Sequence, residues 1–245
     1  MKKMILVALL ALSACVEPGA PAMPPSGPGP GAAAAAGPLL PPREAARNFV
    51  AVVRRMEPVV EQECRARRAR TNCDFRIVVD DRDGQPPNAY QTLDSSGRPI
   101  IAFTLALVAD ARNEDELAFI MGHEAGHHIA AHIPREQREA LKGALILGVL
   151  RAATGGSEAD IRSAQDLGGT LGARRYAKDY ELEADRLGTI LAWEAGFDPA
   201  RGALYFERIP DPGNAFLGTH PPNASRIAIV RQTLAALRSG ARIAP

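Results

Sequence analysis

The stretch Met121-Gly122-His123-Glu124-Ala125-Gly126-His127-His128 decides how the chain around it is read. It contains His-Glu-x-x-His. On a helix, two residues four apart lie about 40° apart around the axis and one turn apart along it, so both imidazoles can face one ion. Glu124 follows the first of them, placed to take a proton from a water on a zinc ion. Chance supplies this pattern in roughly one chain in a hundred of this length. The surroundings must therefore separate a zinc helix from an ordinary charged, solvated turn.

Asn113-Glu114-Asp115-Glu116 precedes an apolar run. Asn113 suits an N-cap, and Glu116, three on, suits a capping box. Leu117, Ile120, Met121 and Ile129 supply a buried stripe, while Ala125 and Gly126 keep the helix slim beside an ion. The pattern predicts a helix from about Asn113 to Ala131, ended before Pro134. His128 falls about 100° round from His127 and so faces solvent or a neighbouring helix. His132 falls about 140° round and is disfavoured as a ligand. The Gly turn and third His of the metzincin pattern are missing.

A catalytic zinc keeps three protein ligands and one open position, so a third ligand must come from elsewhere. Tyr180-Glu181-Leu182-Glu183-Ala184-Asp185-Arg186-Leu187-Gly188 offers two carboxylates, Glu181 and Asp185, four apart on one helix face, with Glu183 on another. One can bind the ion while the other hydrogen-bonds a ligand histidine. The plain alternative is a charged helix, with Arg174, Arg175 and Lys178 nearby.

These two motifs in this order resemble the HtpX/BepA-type zinc metallopeptidases, gluzincins related to the CaaX prenyl proteases. Asn88-Ala89-Tyr90, Asn113 to Ala118, Gly196-Phe197-Asp198-Pro199 and His220-Pro221-Pro222-Asn223-Ala224-Ser225-Arg226-Ile227 add to the resemblance, which runs from about Arg43 to Arg238. Tyr90 stands where the family more often has Phe. The resemblance implies His123, His127 and Glu181 as ligands of one Zn²⁺ per chain and Glu124 as catalytic base. It implies Asp185 as an active-site acid or as a partner of a ligand. It also implies that an edge strand beside the zinc helix, at Asn88, Ala89 and Tyr90, binds the substrate backbone by strand addition. A plain edge strand is the alternative.

The chain of 245 residues suits one domain plus a targeting segment. Its 29 basic and 28 acidic residues give no argument for nucleic acid. Met1-Lys2-Lys3 and the apolar run Met4 to Leu12 read as a secretory leader, far too short to span a bilayer in a mature protein. Leu12-Ser13-Ala14-Cys15 resembles a bacterial lipobox. That implies cleavage before Cys15 and a lipid anchor there, facing the periplasm. Val16 in place of Asp leans towards the outer membrane rather than the inner. Residues 15–42, rich in Pro, Gly and Ala, read as a disordered tether. An oxidising compartment allows Cys64 and Cys73 to pair; two separate thiols are the alternative.

Glu44 to Met56 and Pro58 to Arg70 read as two helical pieces, with Phe49, Val50, Val53 and Met56 as the apolar stripe of the first. Asp74 to Asp80 is a β-rich run with Phe75, Ile77 and Val79 on one face. Asn88 to Leu93 and Pro99 to Phe103 flank a turn, so a sheet of about three strands is expected. Leu141 to Leu150 reads as a buried helix, or as a lid or membrane-facing segment, with hinges at Gly155-Gly156 and Gly168-Gly169. Gly196 closes the Glu181 helix, Asp198-Pro199 starts the next one, and the last helix begins near Pro222.

The expectation is an α+β, mostly helical zincin-like domain over residues 43–245, after a leader (1–14) and a tether (15–42). The resemblance and the leader together imply a lipid-anchored zinc endopeptidase of the bacterial envelope acting on misfolded or misassembled proteins. A zinc-containing chaperone-like module that rarely cleaves is the alternative, against which the intact Glu124 argues. His220 and Arg226 are candidate donors to the reaction's oxyanion. His220 also suits a resting zinc ligand, or a surface position in a structural helix-start motif.

Overall fold

The computed structural model describes residues 38–215 and 218–240; the leader, Cys15 and the tether up to residue 37 lie outside the described residues. The architecture is α+β and mostly helical. Helix α1 (Pro42–Arg67) buries Ala45, Phe49, Val52, Met56, Val60 and Cys64, spaced three and four apart. It is one helix, not two pieces. A proline inside a helix costs about 3 kcal/mol. Pro58 is exposed, and Val52, Met56 and Val60 continue one buried stripe past it. Burying each such side chain stabilises by roughly 1.5–3 kcal/mol, enough to carry the helix through. The stripe is also displaced from the expected one: Val50 is 47% exposed and Val52 is buried instead.

The sheet has the order β1-β3-β2. Strand β1 (Arg76–Asp80) runs parallel to β3 (Pro99–Thr104), and β2 (Ala89–Leu93) runs antiparallel to it. Central β3 contributes the buried Ile101 and Phe103. Because β1 is an edge, Val79 is exposed and does not join buried Phe75 as the alternation suggested. Strand β2 is the other edge and lies against the His-Glu-x-x-His helix. Thr104 caps the short α2 (Leu105–Asp110), its hydroxyl accepting from Leu107 N. A disulfide between Cys64 and Cys73, Cα atoms 5.7 Å apart, ties the end of α1 to the segment before β1.

Helix α3 (Glu114–Ile129) carries the motif. Asn113 caps it, its side-chain oxygen accepting from Glu116 N at 3.0 Å. The helix is buried on nearly every side, as a helix at the centre of a domain must be. Helix α6 (Ala177–Glu194) crosses it at very close range, where Gly122 meets Gly188. This contact lays Glu181 and Asp185 against His123 and His127.

The motif helix ends before Pro134, as expected, but the chain does not stay out of the helical state for long. It turns a corner at Ala131, in the left-handed region at φ 56°, and restarts as α4 (His132–Ala153). Pro134 sits in the first turn of α4, where a backbone N–H has no helical partner to lose. Helices α4 and α5 (Glu158–Arg174) form an antiparallel hairpin packed chiefly on each other, with Gly143 against Gly168. Gly168-Gly169 are thus inside a helix and not a hinge, whereas Gly155, at φ 76°, lies in the turn between the two. The expected burial of Leu141 to Leu150 fails. Small residues of α4 face α5, so Leu141 (70% exposed), Leu145, Ile146, Val149 and Leu150 face outward. No helix among the described residues is long and apolar enough to cross a membrane. Gly196, at φ 79°, follows α6, and α7 (Pro199–Gly202), α8 (Tyr205–Arg208) and α9 (Asn223–Arg238) complete the domain.

Candidate metal centre

The crossing of α3 and α6 brings His123, His127 and Glu181 together, one donor atom of each lying within 4.8 Å of the others. The two Nε2 atoms are 3.1 Å apart. Glu181 Oε1 is 3.3 Å from His127 Nε2, and its Oε2 is 3.7 Å from His123 Nε2. A tetrahedral ion bound at 2.0–2.2 Å sets its donors about 3.3 Å apart. Two imidazoles and a carboxylate at these separations fit a divalent cation of the zinc type.

Each donor is oriented from behind. His123 Nδ1 donates to Asp185 Oδ1 at 2.8 Å, which leaves Nε2 free for the ion. Asp185 is fully buried. Arg226 holds it with two donors, Nε to Oδ2 and Nη2 to Oδ1, and the guanidinium lies over the Phe206 ring at 3.8 Å. Burial works to raise the Asp185 carboxyl, but hydrogen bonds from His123 and Arg226 hold it below its ordinary value. These contacts bear on two sequence expectations, and for Asp185 they match the one that made it the partner of a ligand histidine. Arg226 spends these donors on Asp185 instead of standing ready for an oxyanion. Asp185, sealed behind His123, orients that ring and is not placed to hand a proton to a substrate.

Burial also works to raise the Glu181 carboxyl, and hydrogen bonds from His127 and His220 overcome it. His220 Nδ1 lies 2.9 Å from Glu181 Oε2, and its side chain is 56% exposed on the loop before α9. His220 therefore faces the site, not open solvent away from it.

Neither of the other two histidines of this stretch belongs to the donor cluster, as helical spacing indicated for His132. His128 is buried rather than solvated, its Nε2 2.8 Å from Asn72 O and its ring edge-on to Phe75. His132 is no metal ligand, yet its Nδ1 lies 2.9 Å from His127 Nδ1. An unbroken helix would have pointed it away; the corner at Ala131 swings it back. Its Nε2 meets Glu183 Oε2 at 3.1 Å, and Arg135 Nη1 reaches the same oxygen at 2.7 Å. The His132 hydrogen bond and the Arg135 guanidinium lower the Glu183 carboxyl to about 2, against partial burial. The signal available in sequence was a fourth histidine five residues past the motif.

Beside these donors lies a cleft of about 840 Å³, lined on one side by the segment 86–91 and on the other by His123, Glu124, His127 and Glu181. Glu124 opens into it. Thr104 N donates to Asn88 O and Asp94 N donates to Arg98 O, which fixes the pairing phase of β2 with β3. With a period of two, the N–H and C=O groups of Ala89 and Gln91 project from the outer edge, beside the cleft. Tyr90 is held from the other side, its hydroxyl donating to Asp80 Oδ2 at 3.1 Å. Of the edge expected at Asn88, Ala89 and Tyr90, the main-chain groups turned away from β3 are those of Ala89, together with those of Gln91.

The sequence profile of Peptidase family M48 matches residues 50–234, which span every element that builds this site. The chain belongs to that family. It is 30% identical over 142 residues to the Beta-barrel assembly-enhancing protease of Escherichia coli, covering 51% of this chain and 28% of that protein. It is 28% identical over 133 residues to Metalloprotease LoiP of Escherichia coli, covering 52% of each. It is 28% identical over 141 residues to Mitochondrial metalloendopeptidase OMA1 of Arabidopsis thaliana, covering 54% of this chain and 27% of that protein. The chain thus spans about half or less of the length of these curated relatives. Family and geometry agree on a site at which His123, His127 and Glu181 could hold a metal ion.

Proposed function

We propose that this M48 peptidase is a zinc endopeptidase of the bacterial envelope, anchored through a lipid on Cys15 and tethered by residues 15–42. Its substrates are misfolded or misassembled envelope proteins. The observation that carries the catalytic part is the division of labour among the carboxylates. Asp185 and Glu183 are committed to histidines and arginines, and Glu181 belongs to the donor cluster. Glu124 is the acidic side chain of the motif that opens into the cleft.

His123, His127 and Glu181 would hold the zinc, which would supply Lewis acidity and lower a water's pKa towards about 7. The residues of the chain do the rest. An extended segment of substrate adds to the edge of β2, its main chain hydrogen-bonding with Ala89 and Gln91 and its scissile bond carried past Glu124. Main-chain pairing is indifferent to side-chain identity, which suits an enzyme that meets many unfolded sequences. Glu124 takes the proton of the attacking water and passes it to the leaving amine. His220, at the exposed rim beside Glu181, is the candidate donor to the oxyanion. Similarity to the Beta-barrel assembly-enhancing protease of Escherichia coli supports the envelope setting.

The test is Glu124→Gln. The variant should fold, bind zinc as the wild type does, and fail to hydrolyse casein or unfolded envelope proteins. Turnover near the wild-type rate would remove the mechanism. In cells, the same variant should trap its substrates for identification.

A further inference from the structure

We infer that His132 and Glu183 form a relay that fixes the tautomer and orientation of His127, doing for the second metal-binding histidine what Asp185 does for the first. The inference rests on the metal-site reading above.

The polarity of the chain of contacts follows from its far end. His127 must present a lone pair at Nε2 to bind a cation, so its proton sits on Nδ1. That N–H points at His132 Nδ1, 2.9 Å away, which must then be the acceptor. A neutral His132 accepting at Nδ1 carries its proton on Nε2, 3.1 Å from Glu183 Oε2. Glu183 only accepts, and it is anchored by Arg135 Nη1 at 2.7 Å. Every donor thus finds an acceptor in a single consistent direction.

The two halves of the site match part for part. His123 is backed by a carboxylate, Asp185, which is pinned by an arginine, Arg226. His127 is backed by a carboxylate, Glu183, through one interposed imidazole, and that carboxylate is also pinned by an arginine, Arg135. The interposed ring is itself held: His132 is buried and stacked on Tyr180, centroids 4.7 Å apart and planes 15° from parallel. Arg135 covers the same Tyr180 ring at 4.4 Å. A surface histidine with a chance neighbour would not be clamped in this way. Carboxylates behind metal-bound histidines set ring orientation and raise ligand basicity, and removing such a partner typically weakens metal binding by about 10–100-fold.

The experiment measures zinc affinity of the purified protein by competition with a chromophoric chelator, at fixed pH. The set is wild type, His127→Ala, His132→Phe, Glu183→Ala and the double variant of the last two. Phenylalanine keeps the stack on Tyr180 and removes both hydrogen bonds. The expected result is a loss of about 10–100-fold in His132→Phe and a comparable loss in Glu183→Ala. The double variant should lose no more than the larger single loss, because two links of one chain break only once. Losses that multiply, or an affinity in His132→Phe within twofold of wild type, would overturn the relay. If His132→Phe does not fold, Glu183→Ala carries the test alone: affinity within twofold of wild type refutes the relay. Full zinc binding in His127→Ala would instead show that the metal-site reading itself is wrong.

Discussion

Arg226 grips Asp185 with two parallel donors, at 2.8 and 2.7 Å, in the interior between α6 and α9. Neither partner can be removed alone at low cost, because the survivor is a buried, unpaired charge; such losses run to about 3–5 kcal/mol. Lysine keeps the charge but not the fork. Arg226→Lys and Arg226→Ala should both lower the melting temperature of the metal-free protein, alanine more. Both should also weaken zinc binding through a loosened His123. A thermal scan and a chelator titration check this, and wild-type values in Arg226→Lys would show that the fork is dispensable.

A β-carbon on Gly188 would lie 2.7 Å from His123 N and 3.0 Å from its Cα. Backbone cannot step aside as a flexible side chain can, so Gly188→Ala must separate α3 from α6. Overpacking of this kind costs about 1–3 kcal/mol. Gly169→Ala is the control, since its β-carbon would meet nothing closer than 3.7 Å. Alanine there should leave stability equal or raised, by up to about 1 kcal/mol of helix propensity. Only the Gly188 variant should lose zinc affinity.

His220→Ala should lower kcat by about 10²–10³-fold with zinc content unchanged, the loss expected for one oxyanion donor. A rise in basal proteolysis would instead assign His220 to a resting block over the ion. An unchanged rate would place it outside the chemistry.

Cys15→Ser should release the protein from the membrane fraction of cells that otherwise hold it there. Wild-type protein found wholly in the soluble fraction would remove the lipid anchor and leave a plain secreted enzyme.

The two histidines and the carboxylate pair were legible in sequence because helical spacing is a local property: His123 and His127 share a face whatever surrounds them, as do Glu181 and Asp185, and the family resemblance chose Glu181 between the two carboxylates. The sheet and its turn were legible for the same reason. What escaped depends on tertiary context. Pro58 reads as a break, and only the buried stripe on either side shows why the helix continues. His132 reads as pointing away, and only the corner at Ala131 returns it to His127. Arg226 reads as a free cation near the site until Asp185 is seen to occupy it. Leu141 to Leu150 reads as core, because apolar composition does not say which face a neighbouring helix will take.

The hairpin of α4 and α5 rests chiefly on itself, and only the first turn of α4 touches the cleft. Its stability is therefore a local quantity. Amides towards its tip should exchange with deuterated solvent through openings that leave α3 closed, while those of α3 wait for the whole domain to open. His132 lies at the base of the arm and Gly155 at its tip, so fraying begins far from the metal. The arm is thereby free to drift in sequence, or to take on a surface task of its own, without detuning the chemistry at its root.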